Sequence, residues 1–175
     1  MMRVLFNWMP AGVHENSPQF LEELGKICLE RGIKPEYEIF DTGMMGIVDY
    51  YVNKGILKTP GQYSFVLGVG GGMDASVDNL LFLKNKLPAG STWSAFGIGK
   101  GHMPIMYAAL ALGGHIRVGL EDNVYFSKGV KATNVQLVER AAQVIRTFGN
   151  EVAAPAEARE IMGLKPFSRQ VGRKS

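Results

Sequence analysis

Short apolar runs alternate with helix-like stretches along most of the chain. Four runs have the composition and the alternation of strands, and they recur roughly every 24 to 29 residues. Each is followed by a stretch in which apolar residues recur at helical spacing. The four runs cover residues 37–40, 63–69, 92–98 and 116–120. Strands that alternate with helices in this way predict four to five βα units and a parallel sheet.

Capping residues mark several of the helix ends. Ser17 followed by Pro18 predicts the start of a helix that Gly32 ends, and Ser76 predicts the start of another. The other predicted elements are an apolar helix at 103–112, a loop at 123–133, an amphipathic helix at 136–149, a short helix at 156–162 and a partial strand at 4–7.

The length of the chain bounds the architecture but does not choose it. With 175 residues the chain is one domain by length, and a closed (β/α)8 barrel needs about 200–250 residues. Part of a barrel and a small doubly wound open sheet both fit the pattern. The fold class is therefore α/β with parallel strands, and both architectures stay open at this point.

Composition and charge exclude several classes of protein. The formal net charge is +3, and the excess lies mainly in residues 165–175, which we predict to be a basic tail after a domain at 1–164. No patch of the kind that binds nucleic acid is evident. The single cysteine, Cys28, rules out an internal disulfide framework and a cysteine-rich zinc site, and is typical of a reducing compartment. The 22 glycines indicate many tight turns.

Neither a membrane span nor a secretory signal is predicted. The longest apolar stretch, 103–112, is well short of the roughly 20 residues that a membrane helix needs. The first residues have a short apolar run and no small-residue cleavage site. We therefore expect a cytoplasmic protein.

The run GGHIRVGLEDN carries charges on a strand that otherwise has a buried pattern. Arg117, Gly119 and Glu121 would share one face of a strand, and Asp122 would follow at its carboxyl end, where α/β proteins place their sites. One interpretation is an Arg117–Glu121 ion pair with Asp122 capping the next loop. The other makes Glu121 a metal ligand or base, Asp122 an acid or base, and Arg117 an anchor for an anionic group.

Two further features could belong to the same site. The strand in PEYEIFDTG carries Glu36 and Glu38 on one face, directed either at the site of Glu121 or at the exterior. Glycine loops at 68–76 and 97–102 lie between a strand and a helix, where backbone N–H groups bind anions. In the second loop Gly99, Lys100 and His102 are candidates for an anion contact, although tight turns alone would also explain both loops.

The histidines do not form a recognisable metal motif. His14, His102 and His115 lack the HxH, HxxxH and HExxH spacings. Local spacing therefore does not predict a complete metal site, and His115 at a strand start is interpreted as structural.

Several long runs in the same order resemble the C-terminal portion of the beta-keto acid cleavage enzymes, whose prototype acts on 3-keto-5-aminohexanoate in lysine fermentation, a pathway of amino acid metabolism. The runs are ENSPQFLEELGKICLERGIKPEYEIFDTG, VLGVGGGM, LPAGSTWSAFGIGKGHMPIMYAALALGGHIRVGLEDN, YFSKGVKATNVQLVERA and PAEAREIMGL. The resemblance implies the C-terminal part of a TIM barrel that is not closed within this chain. It also implies a zinc-dependent transferase that converts a β-keto acid and acetyl-CoA into acetoacetate and a new acyl-CoA.

The resemblance also implies roles for individual residues. Glu121 matches a zinc ligand of the family, Asp122 matches the general base, and Arg117 belongs to the same catalytic group. Glu38, rather than Glu36, is similar to the position that meets the distal group of the substrate. His102 stands where the family more often has glutamine, and this difference would affect the part of the site that meets CoA.

The family's remaining zinc ligands, an HxH pair on an early strand, have no counterpart in this sequence, so the zinc site would be incomplete here. Three interpretations follow: part of a cleavage enzyme that needs its missing N-terminal half, a non-catalytic half-barrel that self-associates as a homo-oligomer, and an unrelated small α/β enzyme with an open sheet.

Overall fold

The computed structural model describes residues 15–166. The partial strand predicted at 4–7, His14 and the tail from residue 167 onward lie outside the described residues.

Four parallel strands form one sheet in the order of the sequence, β1-β2-β3-β4. They are β1 Glu36–Ile39, β2 Gln62–Leu67, β3 Thr92–Gly97 and β4 His115–Ile116. The helices are α1 Pro18–Arg31, α2 Thr42–Asn53, α3 Val77–Lys84, α4 His102–Ala111, α5 Asn134–Thr147 and α6 Pro155–Ile161. Because each parallel strand must be reached by a crossover, α2, α3 and α4 connect successive strands, and the predicted succession of βα units is confirmed.

The two faces of the sheet differ in chemistry. One face packs against α2, α3 and α4 and forms the apolar core, in which Phe65 and Leu67 of β2 are fully buried. The other face carries a polar row, because the register aligns Glu38, Ser64, Ser94 and His115 across the four strands. Beside this row lie the buried apolar side chains of Val66 and Phe96. We call this second side the polar face. Glu38, a charged group on this face, is partly exposed to solvent.

The predicted capping residues lie at the ends of their helices, as expected. The Ser17 hydroxyl accepts a hydrogen bond from the Phe20 N–H at 3.1 Å, and Gly32 ends α1 at φ 63°, a conformation that favours glycine. Ser76 caps α3 in the same way. Thr133 and Gln136 form a capping box, so α5 begins at Asn134, two residues before the predicted start.

Two predictions are corrected. The strand predicted at 116–120 is limited to His115–Ile116, because the Gly119 carbonyl accepts the N–H groups of Asp122 and Asn123 and turns the chain away from the sheet. The loop predicted at 123–133 contains a small antiparallel hairpin, β5 Tyr125–Ser127 and β6 Val130–Lys131, whose turn includes Gly129 at φ 77°.

Within the part of the chain that the structure describes, no helix combines the length and the apolar character needed to cross a membrane.

Candidate active site

Arg117 is the centre of a cluster of charged side chains just beyond the carboxyl end of β4. Its guanidinium holds Asp122 with a two-point fork, Nε to Oδ2 at 3.1 Å and Nη2 to Oδ1 at 3.0 Å. A planar guanidinium matches a carboxylate in this way and fixes its orientation as well as its position. The loop after β4 is therefore held by a contact between its first residue, Arg117, and Asp122.

The same guanidinium joins two more carboxylates from different parts of the chain. Nη1 donates to Glu38 Oε1 at 2.7 Å, and Nη2 donates to Glu121 Oε2 at 3.1 Å. The guanidinium carbon also lies 4.4 Å from the centre of the Phe96 ring, a cation–π distance. Arg117 thus connects β1, β3 and the loop after β4 in one arrangement.

The three carboxylates differ in their exposure to solvent. The side chain of Asp122 is 5% exposed, whereas that of Glu121 is 69% exposed and that of Glu38 is 43% exposed. Burial raises the pKa of Asp122 above its ordinary value, and the Arg117 guanidinium only partly opposes this. A carboxylate with a raised pKa is a stronger base, so Asp122 is the member of the cluster best suited to accept a proton.

The cluster opens into a broad cleft of about 1390 Å³. The cleft runs from Arg117, Glu121 and Asp122 along the polar face to Glu36 and Glu38, and continues over apolar side chains of α1 and α2. Glu36 and Glu38 are the outward-facing positions of β1, alternating with buried Tyr37 and Ile39 as predicted. Glu36 therefore lies along the same cleft as Glu38, which is a member of the Arg117 cluster. Asp41, in contrast, caps α2 by accepting the Gly43 N–H at 2.8 Å.

The glycine loop after β3 adjoins the cluster through Asn123. The Asn123 side chain accepts the Gly99 N–H at 2.8 Å and donates to the Gly97 carbonyl at 2.9 Å, and its amide nitrogen lies 2.9 Å from His102 Nδ1. The Gly99 N–H is therefore already paired within the protein. Lys100 is exposed beside it.

The glycines of this loop are explained by close packing and by backbone conformation. A Cβ at Gly97 would collide with the backbone carbonyl of Gly101, and Gly99 has φ 59°, in the left-handed region. Burial lowers the pKa of His102, and the charge of Arg140 lowers it further, so the imidazole stays neutral beside Asn123.

The described residues do not by themselves make up a zinc site. No three His, Cys, Asp or Glu side chains among residues 15–166 are grouped so that they could hold a metal ion. Glu38, Glu121 and Asp122 are all bonded to the Arg117 guanidinium, and of the three Glu121 is the most exposed.

Sequence patterns do not reveal two asparagines that hold the loop after β4. Asn123 joins the loop to β3, and Asn134 accepts the Leu120 N–H at 3.0 Å from the start of α5. Asn123 directly follows the two acidic residues, but asparagine is common in turns and its position alone does not reveal its partners.

Comparisons with known proteins define the class to which this chain belongs. The chain belongs to the beta-keto acid cleavage enzyme family, whose pattern it matches over residues 1–164. It is 43% identical over 151 residues to a 3-keto-5-aminohexanoate cleavage enzyme of Fusobacterium nucleatum, a match covering 86% of this chain and 55% of the relative. It is 36% identical over 152 residues to a 3-dehydrocarnitine:acetyl-CoA trimethylamine transferase of Rhizobium meliloti, covering 87% of this chain and 51% of the relative.

The fold is similar to that of a solved structure, ObcA in a ternary complex with a C4-CoA adduct and oxalate. The TM-score is 0.72 at 21% identity, and the match covers 93% of this chain and 44% of that protein. The chain spans about half the length of the curated relatives it matches. The open sheet of four parallel strands is accordingly part of a TIM barrel, and the doubly wound alternative is wrong.

Proposed function

We propose that this chain contributes the acid–base half of an active site that exchanges acyl groups between a β-keto acid and acetyl-CoA. The products are acetoacetate and a new acyl-CoA. The observation that carries the proposal is the buried Asp122 carboxylate, held by the Arg117 fork at the carboxyl edge of the sheet. Membership of the family supports it, and disfavours the interpretation of an unrelated α/β enzyme.

In the proposed reaction Asp122 takes a proton from the carbon between the two carbonyl groups of the β-keto acid. The resulting carbanion attacks the thioester carbonyl of acetyl-CoA and expels the CoA thiolate. The thiolate adds to the original keto carbonyl, and the bond between that carbonyl and the attacking carbon then breaks, which releases the new acyl-CoA. The acetoacetate carbanion takes the proton back from Asp122. One carbon–carbon and one carbon–sulfur bond form and one of each breaks, so no oxidant or reductant is needed. The Arg117 fork keeps the Asp122 oxygens in place, which lowers the entropy cost of the proton transfer.

We propose that Lys100 contacts the CoA co-substrate. It is exposed on the glycine loop next to the cluster, and a lysine ammonium is a common partner of phosphate groups. The direct contacts predicted for Gly99 and His102 stay predictions, because the Gly99 N–H and the His102 Nδ1 are both engaged by Asn123. An acetyl-CoA-dependent relative, named as such in Rhizobium meliloti, supports this co-substrate.

We propose further that Glu36 and Glu38 face the distal group of the β-keto acid. Both lie on the polar face along the cleft that leads to Asp122. Two partly exposed carboxylates favour a cationic substituent over a neutral or anionic one. The amino group of 3-keto-5-aminohexanoate, the substrate named for the Fusobacterium nucleatum relative, has this charge.

We propose that the complete site binds zinc and that most of the zinc ligands come from outside the described residues. Glu121, exposed at the rim of the cleft, would supply one carboxylate ligand. Bound zinc would act as a Lewis acid on the keto group. Elemental analysis tests this role: zinc that is bound by the complemented protein, and lost in Glu121→Ala, would support it. Equal zinc in both proteins would contradict it.

The experiment is complementation with the missing part of the barrel. The chain is mixed with a polypeptide that corresponds to the N-terminal part of the Fusobacterium nucleatum relative, and acetoacetate is measured after addition of 3-keto-5-aminohexanoate and acetyl-CoA. We expect acetoacetate from the unaltered pair and a loss of about 10³-fold or more with Asp122→Asn, since loss of a positioned base costs about 10²–10⁴-fold. The control Asp41→Asn keeps a side chain able to cap α2 and should retain the activity.

Two further variants test the proposed roles of Lys100 and Glu38 separately. Lys100→Ala should raise the KM for acetyl-CoA. Glu38→Gln should lower kcat/KM for 3-keto-5-aminohexanoate more than for a β-keto acid that lacks the cationic group. No acetoacetate with the partner present, together with stable self-association of the chain in sedimentation, would instead favour the non-catalytic half-barrel.

A further inference from the structure

Asn123 is buried, and its side chain makes all of its described hydrogen bonds to the glycine loop at 97–102. Its carbonyl oxygen accepts the Gly99 N–H at 2.8 Å, and its amide nitrogen donates to the Gly97 carbonyl at 2.9 Å. The same amide nitrogen donates to His102 Nδ1 at 2.9 Å. Asn123 is 7% exposed, so water does not replace these bonds easily.

These bonds take the place of strand pairing at the end of β3. Pairing between β3 and β4 stops at Ala95 and Ile116, because the chain turns away after Ile116. The Gly97 carbonyl lies two residues farther along β3 and is satisfied by the Asn123 amide instead of by a neighbouring strand. The side chain of Asn123 thus holds the loop after β4 against β3 where the backbone no longer does so.

Asn123 is also the direct neighbour of Asp122. The N–H groups of both residues donate to the Gly119 carbonyl, at 3.2 Å and 3.0 Å, within one tight turn. A displacement of Asn123 would therefore move the turn that carries Asp122. The Arg117 fork orients the Asp122 carboxylate, but Arg117 belongs to the same loop and does not join that loop to β3 by a hydrogen bond.

His102 is suited to its part in this arrangement. The Asn123 amide nitrogen is a donor, so Nδ1 must accept, and this requires a neutral imidazole with its proton on Nε2. Burial and the nearby Arg140 both disfavour the charged form of His102. A glutamine at this position would also offer an acceptor to the Asn123 amide.

We propose that Asn123 is a positioning residue that joins the glycine loop after β3 to the Asp122 turn, so that the loop expected to meet CoA and the base move as one unit. Asn123 contacts none of the reacting groups and acts through Asp122. This inference rests on the proposed function for its effect on catalysis, but not for its structural part.

The structural part is tested by amide hydrogen exchange of the full chain. Asn123→Ala should speed exchange of the Gly99 N–H, which loses its acceptor, and also of the Asp122 N–H, whose acceptor Gly119 is untouched. We expect an increase of about tenfold or more at both amides, because each then depends on local opening of the turn. Faster exchange at Gly99 alone would overturn the proposal, since Asn123 would then satisfy the glycine loop without holding the turn.

Three further variants serve as references for exchange. His102→Gln should preserve the protection of both amides, whereas His102→Ala should weaken it, because only glutamine retains an acceptor. Asn79→Ala removes an asparagine that bonds only locally, to the Asp74 carbonyl in the turn before α3, and should leave both amides unchanged. Loss of protection in all three variants would indicate general destabilisation and would contradict a specific role of Asn123.

The catalytic part is tested in the complemented protein. Asn123→Ala should lower kcat about 10²-fold, the cost of a displacement of about 1 Å, with little change in KM for the β-keto acid. Asn79→Ala should keep the unaltered kcat. If the unaltered protein makes no acetoacetate, the proposed function fails, and the exchange experiment still decides the role of Asn123. If it is active and Asn123→Ala has the same kcat, the inference fails alone.

Discussion

Replacing Arg117 by methionine removes the group on which the charged cluster depends. Methionine has a similar length and keeps an apolar contact with Phe96, but it cannot donate any of the four hydrogen bonds to Asp122, Glu38 and Glu121. The buried Asp122 carboxylate would then have neither of its Arg117 donors. The change therefore isolates the charge of Arg117 from its bulk.

The size of the effect follows from the burial of each carboxylate. Loss of one partner of a buried ion pair costs about 3–5 kcal/mol, and an exposed pair contributes about 0–1 kcal/mol. Asp122 is 5% exposed, but the Arg117 side chain is 29% exposed, so water compensates in part. We expect the free energy of unfolding to fall by about 3 kcal/mol in Arg117→Met, at the lower end of the buried range.

Urea unfolding followed by circular dichroism measures this loss directly. Arg117→Lys keeps the charge but not the fork, and should lose about 1–2 kcal/mol. Glu121→Gln serves as the matched control, because its 69% exposed carboxylate should contribute less than about 0.5 kcal/mol. An Arg117→Met variant within about 0.5 kcal/mol of the unaltered chain would refute the view that the fork holds the loop after β4.

Three further predictions concern the scaffold of the site. Burial raises the pKa of Tyr63 to about 12, while in the unfolded chain this pKa stays near 10. The free energy of unfolding should therefore fall as the pH rises from about 10 to 12. Tyr63→Phe should make this fall less steep in urea unfolding, and an identical slope would contradict the prediction. Gly97→Ala should lower the thermal midpoint, because its Cβ meets the Gly101 carbonyl, whereas an unchanged midpoint would show that the loop yields freely. Thr133→Ala should cost about 1 kcal/mol of unfolding free energy, with Thr133→Ser close to the unaltered chain; equal losses in both would exclude the capping box as the cause.

The regular part of the fold is predictable from local patterns. Alternation along β1 correctly assigns Glu36 and Glu38 to one face, because the pleat of a strand imposes that period on any sequence. Ser17 and Gly32 mark the ends of α1, since both satisfy backbone groups of their own helix. Such features depend on neighbours a few residues away, which the sequence displays.

The errors arise where distant contacts override the local pattern. The alternation in residues 116–120 suits a strand, yet Asn123 bonds to β3 and the turn at Gly119 replaces the ladder after Ile116. The strands β5 Tyr125–Ser127 and β6 Val130–Lys131 are too short for an alternating pattern to distinguish them from a loop.

In the candidate site, too, the sequence shows the local features but not the distant contacts. The acidic pair Glu121 and Asp122 is visible in the sequence, but Arg117 also reaches Glu38, which lies 79 residues earlier in the chain. No local spacing predicts that contact, or the difference in burial that separates Asp122 from Glu121. The roles that the resemblance implies for Glu121, Asp122 and Arg117 stay predictions.

The most direct test of the central claim follows the acetyl group itself. The complemented protein is given 3-keto-5-aminohexanoate and acetyl-CoA labelled with ¹³C in the acetyl group, and the products are separated by mass spectrometry. If Asp122 generates the attacking carbanion, the label appears in acetoacetate and not in the new acyl-CoA, and Asp122→Asn abolishes its transfer. Label that stays in acetyl-CoA with the unaltered protein, or transfer that persists in Asp122→Asn, would contradict the account.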